Sequence, residues 1–188
     1  MARHNEVDLH GEVLSEPVIL MNNGQFERGV LFLKTIERAN YNPDGSKSPQ
    51  RFDTPIIISK DPETIEKMAK MKILDMVDVH GVLCTVQAKK KNICKICKKV
   101  NETIGTLVYI APLYLEKRYD PYMEECDNSN NMRAKAARGL ELLKERAEIS
   151  NHVRLVGNLC ADPAFYNGPD APCNTSYMIA VNRKVKIP

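Results

Sequence analysis

The chain reads as mainly β with α, organised as one five-stranded barrel, a linker with a helix, and the opening hairpin of a second barrel. Three observations predict this class. Asn5, Val7, Leu9, Gly11, Val13, Glu16 and Pro17 return at the same spacing as Asn151, Val153, Leu155, Gly157, Leu159, Asp162 and Pro163. Short segments alternate apolar and polar residues with period two, the mark of strands that bury one face. A short amphipathic stretch falls between the third and fourth of these segments. Two strands can share an apolar alternation by accident, but shared asparagine, glycine, acid and proline positions indicate a repeated module.

Each element follows from its own residues. In the first strand, Glu6 to Leu14, Val7, Leu9, Gly11 and Val13 share one face, and Glu6, Asp8, His10 and Glu12 share the other, which is expected to be exposed. Second and third strands are expected at Val30 to Ile36 and Thr54 to Ser59, joined by a loop from Arg38 to Phe52 rich in turn residues. Asp61 can cap the helix that follows, Pro62 suits its first position, and Ile65, Met68, Ala69 and Ile73 form its stripe. Met76 to Val86 alternates again, with Val77, Val79, Gly81 and Leu83 inward. A lysine-rich hairpin leads to a fifth strand at about Thr106 to Leu115. Five short strands with a helix between the third and fourth is the order of an OB-fold barrel.

Residues 1–118 are therefore expected to form an OB-fold domain, 119–150 a linker with a helix, and 151–188 the N-terminal part of a second OB-fold. Tyr119 to Asn131 is polar and turn-forming. Met132 to Ile149 has Ala136, Leu140, Leu143 and Ala147 on one helical stripe. Ser176 to Val185 supplies a second strand for the second copy. A barrel closes with about five strands, so this copy is expected either to be part of a longer product or to borrow strands from a neighbour. Its hairpin is expected to find a pairing partner.

Composition narrows the function. The 188 residues carry a net charge of +3, compatible with nucleic acid without requiring it. No apolar run is long enough to span a membrane, and the start lacks the apolar stretch of a secretory signal, which places the expected location in the cytoplasm. The six cysteines then read as thiols or metal ligands. Asp8, Glu12, Glu16, Glu124 and Glu125 lie on an expected exposed face or in the linker, with no histidine pattern or glycine-rich phosphate loop beside them. His4, His10, His80 and His152 are scattered singly. No enzymatic activity is expected.

The residues that open the second copy, Asn151 to Pro163, resemble the first strand of the bacterial single-stranded DNA-binding protein family. Ala180 to Arg183 resembles the end of that family's second strand. In the first copy, Thr35 to Arg38, Phe52 to Ile58 and Val77 to Thr85 are similar to its second, third and fourth strands. The resemblance implies a non-enzymatic OB-fold protein that binds single-stranded DNA without sequence preference, in replication, recombination or mobile-element transfer. It also implies a homo-oligomer assembled through its barrels, with the leading strands as the contact.

Such binding needs cations along the phosphates and rings under the bases. Tyr41 and Phe52 fall near positions where the family places stacking aromatics; the chain has no tryptophan. The same rings could instead anchor the loop on the barrel. Arg38, Lys47 and Arg51 would neutralise nearby phosphates. So would Lys89, Lys90, Lys91, Lys95, Lys98 and Lys99 of the hairpin, and Arg183 of the second copy.

Cys94 and Cys97 in the hairpin have the spacing of half a tetrahedral zinc site, and two chains could share one ion; two free thiols is the other reading. The alternative function is an OB-fold protein-interaction adaptor of a replication or primosome complex, docking replication proteins through its basic hairpin and charged helix.

Overall fold

The computed structural model describes residues 5–37, 44–46, 49–93, 97, 99–148, 150–166 and 174–181. Five strands close on themselves. β1 (Asn5–Val13) pairs with β3 (Gln25–Ile36), β3 with β5 (Ile56–Ser59), β5 with β7 (Val100–Lys117), β7 with β6 (Met76–Ile93), and β6 returns to β1. Every contact in this ring is antiparallel except β5 with β7. The expected five-stranded OB-fold barrel is present.

Inside it pack Val7, Leu9, Val13, Leu31, Leu33, Ile57, Val77, Val79, Ile110 and Leu115. These are the inward positions of the alternating strands, so the period-two pattern chose the correct face. The helix α1 (Pro62–Ala69) starts where Asp61 accepts hydrogen bonds from the Thr64 N–H at 2.9 Å and the Thr64 hydroxyl at 2.7 Å. It lays Met68, followed by Met71, into the barrel core. Gly29 lets α1 approach, because a Cβ there would stand 2.8 Å from the Met68 sulfur.

The strands run longer than the sequence pattern suggested. A hairpin precedes the expected second strand: β2 (Val18–Asn22) turns into β3 through Asn23 and Gly24, at φ 49° and 77°. Positive φ at both central residues is the geometry that suits a two-residue hairpin, and Asn-Gly adopts it at low cost. β6 and β7 continue as a paired arm to Ile93 and Val100, beyond the body of the barrel. Ladder hydrogen bonds sustain this arm, whereas the alternation on which the shorter reading rested fades after Val86.

The stretch after the barrel is also more structured. The expected turn-forming connector contains α2 (Pro121–Asn128), capped by Asp120, which accepts from the Met123 N–H at 3.0 Å. α3 (Met132–Glu145) follows, and the two helices cover the outer wall of the barrel. Met123 and Leu143 pack there on Ile36 and Met76. The buried line of α3 is Lys135, Gly139 and Leu143, so the stripe inferred from alanines and leucines was turned by about one position.

The wall beneath is polar. His10 and Glu12, expected on an exposed face, are 5% and 2% exposed. Gly139 passes so close that a Cβ there would lie 2.3 Å from Glu12 Oε2. Lys135 donates to Asp75 at 2.8 Å and to Asp127 at 2.8 and 2.9 Å. Lys117 reaches the other Asp75 oxygen at 3.1 Å. Burial alone would raise the Asp75 carboxyl, but hydrogen bonds from Lys135, the Lys72 N–H and Lys117 outweigh it and hold it below its usual range.

The second copy repeats the register of the first by one constant shift along the chain. Val18 opposite Val30 becomes Ala164 opposite Ser176, and Val13 opposite Leu33 becomes Leu159 opposite Ile179. Its strands are β8 (Asn151–Leu155), β9 (Asn158–Leu159), β10 (Ala164–Tyr166), β11 (Asn174–Ser176) and β12 (Ile179–Ala180). Among the described residues β9 pairs with β12 and β10 with β11 in short two-stranded ladders, and they close no barrel. β8 finds its partner within the chain: it pairs antiparallel with β1, centred on Val7 opposite its own repeat equivalent Val153. The two leading strands are thus related by a local pseudo-two-fold axis. Among the described residues, no helix is long and apolar enough to cross a membrane.

Candidate nucleic-acid interface

Residues opposite one another in an antiparallel ladder share a face, and this rule assembles the outer surface of β2, β3, β4 (Phe52–Asp53) and β5. Leu20 stands opposite Arg28, Val18 and Ile58 flank Val30, Ile56 stands opposite Phe32, and Phe52 stands opposite Ile36. Lys34 lies between Phe32 and Ile36 on this face. Since α3 covers only the Ile36 end, the rest is half-buried or exposed. The product is a shallow platform with rings at Phe32 and Phe52 and cations at Arg28 and Lys34.

Three details sharpen its chemistry. Phe52 is 44% exposed, with Lys34 Nζ 4.9 Å from its ring centroid. Lys34 also bonds Glu12 at 3.3 Å. Burial pushes the Glu12 carboxyl up, against the lowering influence of Lys34 and Lys135. Arg28 holds a buried Nε with no hydrogen-bond partner, an incomplete arginine on an open face. The Glu37 N–H bonds the Arg51 carbonyl at 3.0 Å, which closes the base of the long loop and sets exposed Arg51 beside Phe52.

The paired arm of β6 and β7 flanks the barrel. Thr85 opposite Val108, Gln87 opposite Thr106, Lys89 opposite Ile104 and Lys91 opposite Glu102 lie on the side that continues the barrel interior. Val108 and Ile104 are exposed there, as are Lys89 and Lys91. Lys91 forms an ion pair with Glu102 at 3.4 Å. Lys99 is exposed near the tip; Lys90 pairs with Thr103 within the arm, and its side chain lies outside the described residues.

The structure thus brings Arg51 and Phe52 onto one surface and carries Lys89, Lys91 and Lys99 on the arm. Arg38, Tyr41, Lys47, Lys95, Lys98 and Arg183 lie outside the described residues, as does Cys94. Cys97 is an exposed free thiol, while Cys84 and Cys126 are buried. Sequence reasoning missed Arg28, Phe32 and Lys34. The Asn23-Gly24 dipeptide, followed by alternation from Phe26 to Ile36, was the signal that could have exposed them.

The single-stranded DNA-binding protein from Thermus aquaticus superposes on 96% of this chain and 70% of its own length, with a TM-score of 0.54 at 16% identity. A deletion and point variant of that protein covers 97% of this chain and 71% of its own, at a TM-score of 0.56 and 17% identity. This chain has the fold of a single-stranded DNA-binding protein. The likeness extends past the first barrel, since such coverage includes residues of the second copy. No family model matches the chain, and no curated protein matches its sequence. At these identities the shared OB-fold is what the comparison carries.

Proposed function

We propose that this protein binds single-stranded DNA without sequence preference, as a non-enzymatic coat in replication, recombination or mobile-element transfer. The observation that carries the reading is the platform itself. Rings at Phe32 and Phe52 and cations at Arg28, Lys34 and Arg51 lie on or beside the strand pair through which OB-folds bind oligonucleotides. The basic arm occupies the loop position that the same folds use as a second wall. Bases would stack on the rings while phosphates run past the cations. Arg38, Tyr41 and Lys47 of the loop, the lysines of the arm and Arg183 of the second copy would extend the path. A strand so covered cannot re-pair. The pairing of β1 with β8 supports assembly of further copies through similar strand contacts, with a homo-oligomer as the working form.

The test is fluorescence anisotropy with labelled oligothymidine and with a duplex, at several salt concentrations. Tight binding to the single strand alone, weakening as salt rises and lost in Tyr41→Ala combined with Phe52→Ala, is the expected result. Affinity that ignores both salt and these substitutions would remove the assigned surface.

A further inference from the structure

Lys34, a cation of the platform, is held from below by a carboxylate that solvent hardly reaches. Glu12 stands directly opposite Lys34 across β1 and β3, and its Oε1 accepts from Lys34 Nζ at 3.3 Å. The Lys34 side chain is 28% exposed and that of Glu12 only 3%. One end of this ion pair therefore meets solvent beside Phe52, and the other lies beneath α3.

Little else compensates Glu12. Its Oε2 is buried without a hydrogen-bond partner. Gly139 of α3 lies against that oxygen and brings no donor side chain. Met76, opposite Glu12 on β6, and Met123 of α2, which adjoins Gly139, carry no charge. Lys135 of α3 acts on Glu12 through space, but its ammonium is bonded to Asp75 and Asp127. Lys117 of β7 is held between Asp75 and Glu124. His10, two residues earlier on the same face of β1, turns its Nδ1 to Asp78 at 2.6 Å. Lys34 is thus the cation on which the Glu12 charge chiefly depends.

This arrangement sets two anions in competition. A carboxylate taken from water and deprived of its partner is costly, and such a group takes up a proton instead. Burial already pushes the Glu12 carboxyl up in spite of Lys34. A phosphate that draws on the Lys34 ammonium weakens the attraction that keeps Glu12 ionised, and the carboxyl moves further up.

Resting on the single-strand reading above, we propose that Glu12 competes with bound DNA for Lys34, and that the protein takes up a proton at Glu12 as the DNA binds. Glu12 is then a regulator of the platform: ionised, it restrains Lys34, and protonated, it releases the cation to the phosphate. A complex that holds more protons than its free partners gains affinity as pH falls. The gain begins above the ordinary 4.5 of a glutamate, because the free carboxyl is already raised. One proton gives at most about tenfold in affinity per pH unit.

The experiment uses the full chain and oligothymidine without a terminal phosphate. Calorimetry in two buffers of different ionisation enthalpy counts the protons taken up, and anisotropy at fixed salt over about pH 5 to 8 reads the affinity. The parent should take up more protons than Glu12→Gln, by a difference of up to about one. Acidification across that range should tighten the parent at least about threefold more than Glu12→Gln. Other titrating groups are common to both proteins and cancel in the difference. In the parent itself, the carboxyl carbon resonance of Glu12 should titrate at higher pH with the oligomer bound than without it. Equal proton counts in parent and variant, or a Glu12 midpoint that the oligomer leaves unmoved, overturns the competition while single-strand binding stands. A parent that binds no single strand at any pH overturns the platform, and this inference with it.

Discussion

Phe52→Ala and Lys34→Gln separate the two forces assigned to the platform. Phe52 is 44% exposed, so a base can reach its ring, and its backbone is fixed by pairing with β3. Stacking of one base is worth about 1–3 kcal/mol. At about 1.4 kcal/mol per tenfold, Phe52→Ala should weaken single-strand binding roughly 5- to 150-fold. This loss should be almost independent of salt, because no counterion is released at a ring. Lys34 should behave differently. Removing one phosphate contact lowers the slope of log affinity against log salt by about 0.7 for a single strand. Lys34 also neutralises Glu12, whose side chain is 3% exposed, so Lys34→Gln is best made together with Glu12→Gln. Anisotropy with oligothymidine at four or more salt concentrations reads both quantities. Phe52→Ala should give a parallel line displaced downward, and the Lys34 variant a shallower line. Binding within twofold of the parent for Phe52→Ala, or a changed slope without displacement, would refute the division into stacking ring and phosphate cation.

Three further outcomes follow from the wall under α3. Gly139→Ala places a methyl 2.3 Å from Glu12 Oε2, and overpacking against a held carboxylate should cost about 1–3 kcal/mol, read as a lower urea midpoint. Lys135→Met leaves Asp75 and Asp127 without their shared partner; breaking such a buried pair costs about 3–5 kcal/mol, and adding Asp75→Asn should restore part of it. Asp75, Asp78 and Asp120 are held below the ordinary 3.8, so their contribution is full above that value and lost as pH falls through their depressed folded values. Glu12 is raised and works the other way, costing stability at neutral pH that acidification relieves; Glu12→Gln should flatten the mildly acidic limb of urea midpoint against pH and leave the loss at lower pH.

What the sequence made legible was what strand periodicity encodes. Val7, Leu9 and Val13 announce an inward face because their alternation is strict, and the structure buries all three. Periodicity cannot see a second layer. Glu6, Asp8, His10 and Glu12 look solvated as one polar face, yet α3 and the chain after it descend onto part of that face and bury His10 and Glu12. The buried line of α3 was hidden for the same reason: a lysine on a helix predicts solvent unless distant acids lie beneath it, and Asp75 and Asp127 lie beneath Lys135. The platform was half legible. Phe52 and Arg51 stood out in a loop of turn residues, whereas Arg28, Phe32 and Lys34 belonged to a strand whose hairpin had been passed over. The gathering of His10, His80 and His152 around one cavity was illegible from one strand at a time, because they come from three different strands.

The repeat itself shows where local pattern stops and closure begins. Val7 and Val153 occupy the same place in the same motif and face each other across β1 and β8. The first is fully buried and the second is 45% exposed. Their register is copied strand for strand, so the sequence of each module suffices to choose partners and pairing offsets. Burial is not set by that choice. It arises when β5, β6 and β7 complete the ring around Val7, and the described strands of the second copy form no such ring. Leu155, Leu159 and Ile179 therefore hold the inward face of a barrel without its far wall. β8 gains stability instead by adding to the edge of β1, where ladder hydrogen bonds reward it without a core.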